Sequence, residues 1–209
     1  MAQIITKKHQ EAGMSYATYR HLIDSLLTEQ KTTGNNQSDS YIEYTKLNVQ
    51  RMRRLDKTTK LQPELLRQLE QVAQPWVWFV LTEAWCGDAA QSLPVLAQIA
   101  AASPHITLQL LLRDEYPEVM DAYPTNGARS IPKLICLNQD LVEIGTWGPR
   151  PAQAQQMLLN YKEKYGEHFQ EHYQEFSEEV QLWYARDRTL AIQQELSEKI
   201  AQWLEKPTS

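Results

Sequence analysis

From Met14 to Leu27 the residues Tyr19, Leu22, Ile23, Leu26 and Leu27 fall on one stripe, the three-and-four spacing of a helix with one covered side. Residues 1–13 carry no such period. The polar stretch Lys31–Asp39 (KTTGNNQSD) reads as a loop whose final serine and aspartate can cap a following helix. That helix begins near Tyr41, with Tyr41, Tyr44, Asn48, Met52 and Leu55 on one side and Lys46, Arg51, Arg53 and Arg54 on the other. Pro63, in a favoured first-turn place, opens a third helix containing Leu65, Leu66, Leu69 and Val72.

At Trp76 the pattern changes. Trp76–Leu81 is an unbroken apolar, aromatic and β-branched run, the composition of a strand covered on both faces. From Asp88 the helical period returns through Ala89, Leu93, Leu96, Ala97 and Ala100. Ile106–Leu112 reads as a second buried strand, and Glu118–Ala122 as a single helical turn. Pro132–Leu137 and Leu141–Ile144 form a hairpin across Asn138-Gln139-Asp140. A helix follows from about Ala152 to Tyr165. Phe169, Tyr173, Phe176, Val180 and Trp183, then Leu196, Ile200 and Trp203, predict one long helix or two. This C-terminal part packs on the N-terminal helices or pairs two copies as a homodimer; both readings stay open.

The expected architecture is therefore α/β, a mixed sheet flanked by helices. Residues 1–73 form an N-terminal helical extension, 74–163 the central domain and 164–209 a C-terminal helical extension. The net charge of −5 argues against a general nucleic-acid binder. No apolar run reaches the length of a membrane span, and the N-terminus lacks the apolar stretch of a secretory signal. A cytoplasmic location is expected, without a membrane partner.

Two cysteines are too few for a disulfide framework or a structural zinc site. Cys136 lies in an apolar strand and reads as a small buried hydrophobe. Cys86 sits where the strand turns into a helix, beside free N–H groups and the positive dipole end, both of which favour a thiolate. Asp88, two residues on, opposes that preference with its own charge, so the sign of the Cys86 shift stays open. His168 and His172 share a helix face as zinc ligands do, but no third histidine follows, and the segment reads as a solvated face. No metal is expected. Arg51, Arg53, Arg54, Lys57 and Lys60 form a basic cluster that the acidic series Glu167, Glu171, Glu175, Glu178 and Glu179 can neutralise.

Glu83-Ala84-Trp85-Cys86-Gly87-Asp88 resembles the thioredoxin active-site segment, and Gly127–Leu134, with Ile131-Pro132, resembles the segment carrying the thioredoxin cis-proline. Gly145-Thr146-Trp147-Gly148 resembles the loop closing the last strand. Over residues 74–163 the chain is similar to a bacterial branch of thioredoxin-like proteins with Cys-Gly-Asp in place of Cys-Gly-Pro-Cys. Ala89 stands where the resolving cysteine would be, and Val80 where thioredoxins often keep a buried acid. The resemblance implies a monothiol thioredoxin-like protein in thiol–disulfide exchange. Cys86 would be an exposed nucleophile, Asp88 a proton handler, Trp85 and Gly87 would shape the approach, and Ile131 and Pro132 would hold the substrate. The partner would be a protein or small-molecule disulfide; no cofactor is implied beyond glutathione or another low-molecular-weight thiol as co-substrate. The alternative is a catalytically inactive module that binds a polypeptide in the same groove. A glutathione-transferase-like conjugating enzyme ranks last, because the helices flank the core on both sides. A sulfur out of solvent's reach would remove the basis of the exchange chemistry.

Overall fold

The computed structural model describes residues 4–206. Helices α1 (Lys7–Ala12), α2 (Tyr16–Thr28), α3 (Asp39–Thr58) and α4 (Pro63–Glu70) lead into β1 (Trp76–Thr82). The central unit continues with α5 (Gly87–Ala101), β2 (Ile106–Leu112), α6 (Pro117–Ala122), β3 (Lys133–Asn138), β4 (Glu143–Trp147) and α7 (Ala152–Tyr165). A 3₁₀ segment, Gly166–His172, then leads into α8 (Tyr173–Asp187) and α9 (Leu190–Leu204).

The sheet is 4-stranded in the order β2-β1-β3-β4. β1 runs parallel to β2 and antiparallel to β3, and β3 runs antiparallel to β4. As the unbroken apolar run requires, every residue of β1 is buried. The first strand and α5 thus sit at the centre of the core, which fixes the turn between them. At the outer edge, Met14 exchanges backbone hydrogen bonds with Leu110, at 2.9 and 2.8 Å, and so covers part of an otherwise open strand.

Three differences from the sequence reading have local causes. The helix α1 was not expected, because six residues are too few to show a period. The fourth strand begins at Glu143, since Leu141 adopts φ 61° and belongs to the turn. The C-terminal region is broken into two helices at Arg188 and Thr189, whose φ values are 52° and 71°. There the Asp187 carboxylate accepts from Ala191 N–H at 3.2 Å and starts the next helix.

Both extensions fold back on the centre of their own chain. α9 packs against α4, β4 and α5. The buried Gln193 side chain accepts from Gln62 N–H at 2.7 Å and donates to the Lys60 carbonyl at 3.2 Å, tying α9 to the start of α4. Trp203 of α9 lies edge-on to both Trp76 and Trp78, in space left by the absent side chain of Gly145. Packing, not propensity, therefore holds these helices.

Candidate functional site

Cys86 is the N-cap of α5, in extended backbone conformation, so its sulfur lies beside the free N–H groups of the first turn. Ala89 N–H donates to Sγ at 3.5 Å. Across from it the Ile131-Pro132 peptide is cis, and the Cys86 thiol donates to the Ile131 carbonyl at 3.3 Å. The sequence reading placed this sulfur in the open. Instead Cys86 is only 8% exposed. Burial first, and the Asp88 charge second, push the thiol up to about 12, against the Ala89 N–H and Arg150, which favour the anion.

The cover comes from outside the β1–α5 turn. Gln181 of α8 lies over Gly87, where an added Cβ would stand 2.9 Å from its amide nitrogen. The same glutamine accepts from the Gln91 side chain at 2.7 Å. Tyr184, one helical turn on, donates to Asp88 Oδ1 at 2.9 Å. The other carboxylate oxygen pairs with Arg150 Nη2 at 2.6 Å. Burial pushes the Asp88 carboxyl above the usual carboxylate range, with Arg150 and Tyr184 pulling it back. Arg150 Nε and Nη1 are buried without partners among the described residues, and its guanidinium lies over the Phe176 ring at 5.7 Å.

On the opposite side, Asn48 of α3 donates to the Ala84 carbonyl at 2.8 Å and accepts from Arg51 Nη1 at 2.8 Å. Trp85 is held between the Tyr41 ring at 4.9 Å and the Arg113 guanidinium at 4.8 Å. Between α3 and α8 runs a groove of about 670 Å³, whose lining includes Trp85, Cys86, Gly87, Asp88 and Ile131. Its volume falls within the range of small-ligand clefts.

A model of a family described as thioredoxin matches residues 34–165. The chain belongs to the thioredoxin family. No curated protein matches it. Among solved structures it is similar to an HIV epitope-scaffold, with 16% identity and a TM-score of 0.48, over 91% of this chain and 96% of that one. It is also similar to a protein of unknown function from Pseudomonas aeruginosa, with 18% identity and a TM-score of 0.46, over 75% of this chain and 90% of that one.

Against the thioredoxin pattern, Val80 is fully buried and brings no acid to the sulfur. A buried acid does lie nearby, at Glu83, the first residue after β1. Glu83 accepts from Asp114 N–H at 2.9 Å, and the Thr33 side chain also stabilises its ionised form. Burial, reinforced by the neighbouring Asp114 charge, pushes its carboxyl up to about 6. Its chain position carries no signal of this, since a glutamate after a strand reads as a solvated turn.

The remaining candidates lie elsewhere. Cys136 is a free, buried thiol in β3. Trp147, in the stretch that resembles the loop closing the last strand, is buried against the C-terminal extension, where its indole N–H donates to Glu195 at 2.8 Å. His168 pairs with Glu171, and His172 stacks on Tyr165 and pairs with Glu175. Among the described residues no ion pair joins the acidic series to the basic cluster: Glu175 and Glu179 accept from the Tyr161 hydroxyl, while Arg53 pairs with Asp24 at 3.5 Å. Arg150 and Tyr184 were missed because neither carries a local motif.

Proposed function

We propose that this chain is a polypeptide-binding module on the thioredoxin fold, with Cys86 acting as a structural donor rather than a nucleophile. The observation that carries the reading is the engagement of its thiol. The S–H group is buried and bonded to Ile131, while an open groove lies directly alongside. With no second cysteine at Ala89, a dithiol cycle has no second thiol. A polypeptide in the groove would pass Trp85, Gly87 and Ile131, which line it, while Pro132 is buried behind them. Neither metal nor cofactor enters this reading.

A second reading is favoured by one observation, that Cys86 and Asp88 both belong to the groove lining. In it, the Cys86 thiolate attacks a disulfide and expels one thiolate. An external thiol then attacks the mixed disulfide and frees Cys86. Asp88 would take and return the Cys86 proton. Turnover of a glutathione mixed disulfide, measured on wild type and Cys86→Ser, separates the two. The binding module gives no turnover above the uncatalysed rate with either protein. Cys86-dependent turnover overturns it in favour of exchange.

A further inference from the structure

Arg51 is a half-buried cation on the wall of the groove with no ion pair among the described residues. Its Nη1 donates to Asn48 Oδ1 at 2.8 Å, and Asn48 is itself anchored to the Ala84 carbonyl. The guanidinium is therefore braced in place, 3.6 Å from where a Cβ on Gly87 would stand. The other arginines of the groove all have carboxylates: Arg113 has Asp114, Arg129 has Asp121 and Arg150 has Asp88. Asp88 acts on it through space without forming an ion pair, and a planar carboxylate would add two bonds at once.

Neither carboxylate of the groove forms an ion pair with Arg51 among the described residues. Asp88 is occupied by Arg150 and Tyr184. Glu178, the other lining acid, accepts from Gln174 at 3.0 Å. Along the same groove Tyr44, Leu47 and Tyr173 are 43%, 47% and 48% exposed, an apolar series that a small inorganic anion would leave uncovered.

We infer that the groove takes an acidic polypeptide, with one carboxylate seated on Arg51 and an apolar neighbour lying along Tyr44, Leu47 and Tyr173. This rests on the binding-module reading and names its ligand class. The chain as a whole carries −5, so overall charge repels such a peptide and affinity for it has to come from the groove.

The test uses the full-length chain and a fluorescein-labelled, capped heptapeptide alternating glutamate and phenylalanine, followed by fluorescence anisotropy. Counterparts carry glutamine or lysine in place of glutamate. The glutamate peptide is expected to bind at least about tenfold more tightly than either counterpart. Arg51→Gln should reduce its affinity to that of the glutamine peptide and leave the glutamine peptide's own affinity unchanged, with an unaltered melting temperature. Tyr44→Ser should weaken both peptides alike. Equal binding of the glutamate and glutamine peptides, or indifference of the glutamate peptide to Arg51→Gln, overturns the acidic ligand while the groove reading stands. Absence of binding by all three peptides overturns both.

Discussion

The Cys86 thiol and the Ile131 carbonyl, 45 positions apart, are joined by a 3.3 Å hydrogen bond. One group thereby links the start of α5 to the turn before β3. Ionising the sulfur removes the donor and leaves a buried carbonyl facing a buried charge, so the fold opposes the thiolate from two directions.

That opposition has a kinetic signature. With the thiol pushed up to about 12, iodoacetamide should modify Cys86 at pH 8 roughly a thousandfold more slowly than free cysteine. The rate should rise steadily through pH 10 without a plateau. Cys136 is fully buried, so a Cys136→Ala background isolates the signal. Removing part of the cover with Gln181→Ala should accelerate the reaction. A plateau near pH 8 would show that the sulfur is not held as described.

The paired charges beside it give a prediction about stability. Asp88 and Arg150 are joined at 2.6 Å, with side chains 12% and 13% exposed. Asp88→Asn or Arg150→Met alone leaves one charge buried without its partner and should cost about 3–5 kcal/mol. The double variant should cost much less than the two singles together, because it removes both charges. Urea unfolding of the four proteins measures the coupling. Additive losses would mean the pair is not formed.

These relationships divide by how far apart in the chain their partners lie. The β1–α5 junction is legible because a strand run and a helical period are local patterns, and Cys86 falls between them. The identity of its cover is not. Tyr184 reaches Asp88 across 96 positions, and nothing in the spacing of α8 says which face meets α5. Arg150 lies in the Gly/Pro-rich stretch Gly145–Pro151, which reads only as punctuation. Trp147 misleads for the converse reason. Its neighbours resemble the loop closing the last thioredoxin strand, while its indole is claimed by Glu195 of a helix outside that stretch.

The C-terminal extension makes its own demand on the sheet. A side chain at Gly145 would fall within the Trp203 indole, so Gly145→Ala must move a buried tryptophan off the sheet. The expected loss is more than about 2 kcal/mol by urea unfolding, typical of overpacking in a tight core. In a Trp203→Ala background, itself costing about 3–5 kcal/mol, the same change should cost only a few tenths. An equal penalty in both backgrounds would place the effect of Gly145 in the strand and not under Trp203.

Glu83 should make stability fall as the solution becomes less acidic. Its carboxyl titrates near 6 in the fold, against an ordinary value of 4.5. Below pH 4.5 both folded and unfolded chains hold this proton, and its contribution to stability is complete. Between 4.5 and 6 the unfolded chain releases the proton while the fold retains it, so stability declines. Above 6 the loss levels off at about 2 kcal/mol. Glu83→Gln keeps an acceptor for Asp114 N–H and carries no proton to lose. The variant should therefore gain on wild type by about that amount between pH 4 and pH 7, in unfolding free energies from urea titrations. Parallel curves across that range would mean that Glu83 titrates in the fold as it does in the unfolded chain.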